Sequence, residues 1–305
     1  MQNNQQEKKV LLRISHLKQW FPLKKTGFRS EQPYVKANDD ISLDIYEGET
    51  LGLVGESGCG KSTLGRVLLQ LYHQTEGKTM YYGRSVESLA PNYVAKALKN
   101  LESGRAKLRE LEAKRDRIIK EYESLDEKGR RAKHHEKKQA EKEAYHQMLD
   151  LAQLIGGLLA APDLKPVSEA YQLQYQSAID LHKLNEECQQ LQIQQNALMT
   201  KAKEKKEAGK SDSAEQAKAL KMDAQIQKYQ KDILAKEKEL AERHAKVDAL
   251  REQHKNDPGF DEYEQYRDNG IDLAKLEYKE MRQLRKDLQL IFQEPCSFLD
   301  PRMAM

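Results

Sequence analysis

Apolar and polar positions follow three different rhythms along the chain. Near the start, Leu11-Leu12-Arg13-Ile14 reads as a strand, and Ile41-Ser42-Leu43-Asp44-Ile45 alternates as a half-buried strand does. Glu47-Gly48-Glu49 marks a turn, and Thr50-Leu51-Gly52-Leu53-Val54 is a short apolar run that predicts a buried strand. A helix is expected to begin within the glycine-rich stretch that follows and to run to about Leu71. Thr79-Met80-Tyr81-Tyr82, closed by Gly83, predicts one more strand.

From about Asn92 to Leu276 the rhythm changes to sevens. Leu101, Leu108 and Tyr122 share one heptad position, with Leu111, Ile118 and Leu125 at another. Ile226, Ile233, Leu240 and Val247 form a second series, and Cys188, Leu191 and Leu198 a third. Such spacing predicts coiled-coil helices. Breaks at Gly129, Pro162 to Pro166, Gly209 to Ser213 and Asn256 to Gly259 would let a long helical segment fold back as antiparallel hairpins and return near its start. From Met281 the text turns globular again, with Leu288-Gln289-Leu290-Ile291-Phe292 expected as a strand and Asp300-Pro301 as a turn. The expected division is residues 1–91, a helical insertion over 92–276, and a continuation of the first part over 277–305.

Composition agrees with a modest globular part joined to an extended one. Of the 305 residues 33% are charged and 38% hydrophobic, too polar for a single compact globule of this length. The 52 basic and 49 acidic residues nearly cancel, which gives no electrostatic case for a nucleic-acid partner. Cys59, Cys188 and Cys296 lack metal-ligand spacing and read as free thiols of a reducing compartment. No secretory leader is expected from the polar N-terminus. The longest apolar run, Leu149 to Ala161, contains Asp150 and Gln153 and is too short to span a bilayer, so membrane association is expected only through a partner.

The chemistry lies in Gly55-Glu56-Ser57-Gly58-Cys59-Gly60-Lys61-Ser62-Thr63, which matches G-x-x-x-x-G-K-[ST]. Concentrated phosphate charge needs many donors at close range. The glycines let the backbone turn its N–H groups inward, and the following helix aims more of them at the same anion. Lys61 supplies a point charge for the β- and γ-phosphates, and Ser62 a hydroxyl for Mg²⁺. ATP with Mg²⁺ is the expected ligand. Gly209-Lys210-Ser211 resembles the end of the motif but lies in polar helix and reads as a hinge.

Leu51 to Arg66 resembles the ATP-binding subunits of ABC transporters, above all those of oligopeptide and dipeptide importers. Leu288 to Met303 is similar to the same family's Q-loop region, with departures at Glu294, Cys296 and Phe298, and Leu17 to Pro22 and Tyr34 to Ala37 also resemble it. The resemblance covers roughly a third of the chain. It implies an α/β P-loop NTPase fold, here a partial ABC-type nucleotide-binding domain with a large α-helical coiled-coil insertion. It implies that Trp20 stacks on adenine, with Phe21 and Tyr34 as competitors, and that Gln293 is the Q-loop glutamine that touches Mg²⁺ and the attacking water. It further implies membrane permease subunits, a second, homologous ATP-binding subunit and an extracellular peptide-binding protein as partners, at the cytoplasmic face of the membrane.

The family's Leu-Ser-Gly-Gly-Gln signature, Walker B strand and switch histidine follow its Q-loop, and no apolar run ending in Asp-Glu occurs downstream of Gly83. The expectation is therefore ATP binding without turnover by this chain alone. The break-off within the motif at Leu299 to Met305 favours truncation over completion by a separate chain. Two other classes stay open. One is an SMC-like repair ATPase acting on DNA, although there the coiled coil leaves after the Q-loop and here it precedes Gln293. The other is a non-catalytic nucleotide-binding scaffold. The insertion itself reads equally as a solvated hairpin or as a docking arm for an unidentified partner.

Overall fold

A computed structural model describes residues 8–25, 32–209 and 211–291. The chain divides into two compact units, one drawn from the residues before 94 and after 268, the other from residues 94–268.

The first unit is built on a four-stranded antiparallel sheet: β1 (Val10–Pro22), β2 (Tyr34–Tyr46), β3 (Glu76–Tyr81) and β4 (Ile271–Asp272), in the order β2-β1-β3-β4. β1 extends well beyond the expected Leu11–Ile14. It carries a bulge at His16, whose φ is 51°, and the register with both neighbours shifts there. An extra residue moves the inward face by one position. The buried residues accordingly change from Leu12 and Ile14 to Leu17 and Gln19. α1 (Lys61–Leu68) buries Leu64 and Val67 against Ile14 and Leu17. Leu12, Tyr81, Ile271 and Leu273 form a second cluster with Leu89 of α2 (Val86–Leu89) and with Met281 and Leu284 of α9 (Tyr278–Leu284).

Two expected strands are absent. Leu51 to Val54 and Leu288 to Ile291 have no strand pairing, and Val54 and Ile291 are 98% and 91% exposed. A strand exists only where a neighbour takes its backbone hydrogen bonds, and an apolar run of this type belongs inside a sheet covered on both faces. Among the described residues no strand lies alongside either run. Phe292 lies outside them.

The chain leaves and re-enters the first unit at one place. α3 (Asn92–Lys99) begins here, and the Asn92 backbone N–H donates to Glu280 Oε1 at 2.7 Å while its side chain donates to Glu277 Oε2 at 2.9 Å. Glu277 and Glu280 also cap α9 reciprocally, so the same carboxylates start that helix and hold Asn92.

The second unit is helical. α4 (Leu101–Ser124) and α5 (Glu127–Ile155) run antiparallel, with Lys114 bonded to Glu143 at 2.9 Å and Lys133 bonded to Glu121. The turn falls at Leu125–Asp126, and the expected breaker Gly129 sits in the first turn of α5, its N–H held by Asp126. α6 (Lys165–Glu207) and α7 (Ser213–His254) form a longer antiparallel pair. It is registered by Gln174 on His244, Ser177 on Glu239, Lys236 on Asp180 and Lys205 on Glu215. The heptad residues Leu101, Leu108, Ile118, Cys188, Ile226 and Val247 are buried in these helices, and the remaining members of the series are half-buried.

Where the helices meet, a 3₁₀ turn at Gly156–Ala160 packs under α8 (Phe260–Glu264). Gly157 is required there, because a Cβ would lie 2.6 Å from the Phe260 ring. Glu264 accepts from the Gly157 N–H at 2.8 Å and pairs with Arg251 and Arg267. Burial pushes its carboxyl up, but Arg251, the Gly157 N–H and Arg267 outweigh that and hold it below the ordinary value. A depressed native pKa contributes stability that is complete above the unfolded carboxyl's pKa and is lost as pH falls through the native one. Urea unfolding followed by circular dichroism should therefore show this contribution fading only in the acid range. Glu264→Gln should cost about 2 kcal/mol at neutral pH and flatten that acid loss.

Candidate functional site

Residues 55–63 form a loop that wraps toward the start of α1. Gly60 is the helix N-cap with φ 93°, Gly58 has φ 81°, and among the described residues no side chain caps the helix. The first helical N–H groups, those of Lys61, Ser62 and Thr63, therefore lack intrahelical acceptors and point out of the helix end. Lys61 folds back over the loop. Its ammonium donates to the carbonyls of Gly55 and Glu56 at 2.7 Å each and approaches Cys59 Sγ at 3.3 Å. The loop closes on itself through Cys59 N–H to Glu56 O at 3.3 Å, and Gly55 leaves room for the Cys59 thiol, which a Cβ would meet at 2.7 Å.

Gly55, Glu56, Ser57, Gly58, Cys59 and Ser62 are exposed, while Gly60, Lys61 and Thr63 are half-buried. A ring of uncapped N–H groups with a cation at its rim fits a polyphosphate, and the Ser62 hydroxyl stands at the second helical position where a metal ion on that phosphate would be reached.

The loop is held in place by a partner the sequence did not disclose. Asn38 of β2, 4% exposed, donates from Nδ2 to the Gly60 carbonyl at 3.3 Å. The Ala37 carbonyl lies so close that a Cβ on Gly60 would meet it at 2.2 Å. The motif-like run Tyr34 to Ala37 stops one residue short of Asn38. Asn38 opens a polar stretch, Asn38-Asp39-Asp40, ahead of the alternation that begins at Ile41, and carries no motif of its own.

Trp20 lies on β1 opposite Lys36 of β2, one residue from Ala37 and hence one strand over from Gly60. Its indole N–H donates to Asp39 at 3.1 Å. Lys36 Nζ stands 4.4 Å from the ring centroid, Lys18 Nζ 5.3 Å, and the Tyr34 ring 6.1 Å. A base stacking on the face that Lys36 covers must displace that cation. Phe21 is turned edge-on to Tyr72 at 5.4 Å, and Tyr34 is 46% exposed. Gln293 lies outside the described residues, as does Cys296. Cys59 is a free exposed thiol and Cys188 a free buried one. Among the described residues no helix is long and apolar enough to cross a membrane.

The family model described as ABC transporter matches residues 38–305. The chain belongs to the ABC transporter family. ABC ATPase domains bind ATP. The chain is 54% identical over 76 residues to the oligopeptide transport ATP-binding protein OppF of Bacillus subtilis, which covers 25% of this chain and 23% of that protein. It is 39% identical over 94 residues to AppF of the same organism, covering 30% and 29%. To OppF of Escherichia coli it is 44% identical over 87 residues, covering 28% and 26%. The chain thus spans about a quarter of the length of these relatives. No solved structure matches it.

Proposed function

We propose that this chain is the ATP-binding part of an ABC-type oligopeptide or dipeptide importer, holding MgATP on the loop at residues 55–63. The observation that carries this is the uncapped start of α1 with Lys61 poised over the loop carbonyls. The names of the similar proteins support peptides as the cargo. In this reading Lys61 and the loop N–H groups hold the β- and γ-phosphates, Ser62 holds Mg²⁺ with Gln293 beside it, and Trp20 stacks on adenine. The protein works as one of two ATP-binding subunits on membrane permeases at the cytoplasmic face, with an extracellular peptide-binding protein delivering substrate. Residues 1–91 and 277–305 belong to the nucleotide-binding domain, and 92–276 form a coiled-coil insertion. The buried heptad positions support the last point.

The chain alone binds MgATP without turning it over, since its 305 residues contain neither a signature motif nor an apolar run ending in Asp-Glu after Gly83. Trp20 is the only tryptophan, so its emission reports on the site directly. MgATP should change that emission saturably, with no phosphate released. Trp20→Ala, followed with a fluorescent ATP analogue, should weaken binding about tenfold, the worth of one stacked ring, and Trp20→Phe should restore most of it. Unchanged affinity in Trp20→Ala would place adenine elsewhere, and sustained phosphate release would refute binding without turnover.

A further inference from the structure

Half of α5 carries a row of four cations, with one histidine among them, on the side away from α4. Lys128, Arg131, His135, Lys138 and Lys142 recur at intervals of three and four residues, which on an α-helix makes one stripe. At 1.5 Å per residue it is about 21 Å long. The opposite side of the same segment packs toward α4. Ala140 and Ala144 are buried, Lys133 bonds Glu121, and Lys137 stands 4.8 Å from the Tyr122 ring centroid. Lys128, Arg131, His135 and Lys138 are exposed. Arg131 meets Glu127 in a pair whose side chains are 80% and 82% exposed, which water screens and which leaves the arginine available. Residues 127–142 hold seven Lys or Arg against three Glu, an excess larger than the +3 of the entire chain. The overall charge balance therefore conceals a local cationic face.

We propose that this face of α5 rests on the anionic headgroups of a lipid bilayer. The contact is electrostatic and does not insert, because the stripe holds no Trp, Phe, Leu or Ile side chain to bury among the acyl chains. A straight row of point charges suits a flat array of headgroups. It offers no Trp, Tyr or Phe ring to stack on bases, which disfavours a single-stranded nucleic acid. The inference rests on the proposed function only in placing the chain beside a membrane.

Co-sedimentation of the full chain with vesicles tests it. Binding to vesicles of phosphatidylglycerol and phosphatidylcholine is expected, with none to phosphatidylcholine alone, and it should disappear at about 0.5 M NaCl. Each Lys or Arg near an anionic surface multiplies affinity by about five. The combined K128Q, R131Q, K138Q and K142Q variant should therefore bind at least about 100-fold more weakly. A control with equal charge loss on exposed positions of α6 and α7, K201Q, K203Q, K231Q and K238Q, should bind as the parent does. Equal loss in both variants, no binding to anionic vesicles, or stronger retention by DNA in direct competition would each overturn the proposal. MgATP binding, measured on the same samples, should be unchanged in both variants and shows that they are folded. A parent chain that binds vesicles but not MgATP would count against the proposed function and leave the lipid face standing.

Discussion

Lys61→Ala is expected to lower MgATP affinity about 100-fold, roughly 3 kcal/mol, in a titration with a fluorescent ATP analogue. The magnitude follows from what the ammonium can do here. It already sits at the loop rim, 2.7 Å from the Gly55 and Glu56 carbonyls, so it is delivered to the phosphates with little reorganisation. Charge-assisted bonds to an anion far outweigh the bonds it gives up. Those carbonyls belong to exposed residues, and water can replace the lysine there. The substitution should therefore leave urea unfolding within about 0.5 kcal/mol of the parent while abolishing most of the binding. Lys61→Arg should recover only part of the affinity, because a planar fork cannot fill the place of a compact charge. Parent-like binding by Lys61→Ala would remove the loop from any role in nucleotide recognition.

The parts of this molecule that were legible in its sequence are those fixed by neighbours along the chain. The loop at residues 55–63 is one, since every group that forms it lies within nine residues. The helices of residues 94–268 are another: apolar residues recurring at helical spacing mark one face, and Leu101, Leu108, Ile226 and Val247 are buried in helices. Features that depend on distant residues were not legible. The bulge at His16 lengthens β1 to Pro22, and its cause lies partly in Ser42, whose hydroxyl accepts the His16 N–H at 2.9 Å. β4 has only two residues, Ile271 and Asp272, too few for any alternation to show. Leu51 to Val54 misled for the converse reason. Its apolar character suits a strand flanked on both sides, but the antiparallel sheet of the described residues provides it no flank. Asn38 and the Ala37 carbonyl, which brace Gly60, are more than twenty positions from the glycine they serve.

That brace sets the second large effect. Gly60→Ala should reduce MgATP binding below detection, a loss greater than about 100-fold, although the change adds a single methyl group. Two costs combine. At φ 93° an L side chain is strained by about 1–2 kcal/mol. The new Cβ would also meet the Ala37 carbonyl oxygen at 2.2 Å and Asn38 Nδ2 at 2.8 Å. Asn38 can rotate away, but the Ala37 carbonyl is main chain, and its neighbours Lys36 and Asn38 are paired to Trp20 and Gln19 of β1, so it has little room to retreat. The start of α1 must move instead, and the N–H groups of Lys61, Ser62 and Thr63 lose their common focus. Gly58→Ala separates the two costs, because Gly58 has φ 81° but a Cβ there meets nothing within 4 Å. It should pay the backbone strain alone and lose only about tenfold in affinity. Removing the Asn38 side chain should not rescue Gly60→Ala, since the carbonyl remains. Equal losses at the two glycines would mean that backbone freedom, and not the close approach of β2, is what the loop requires of Gly60.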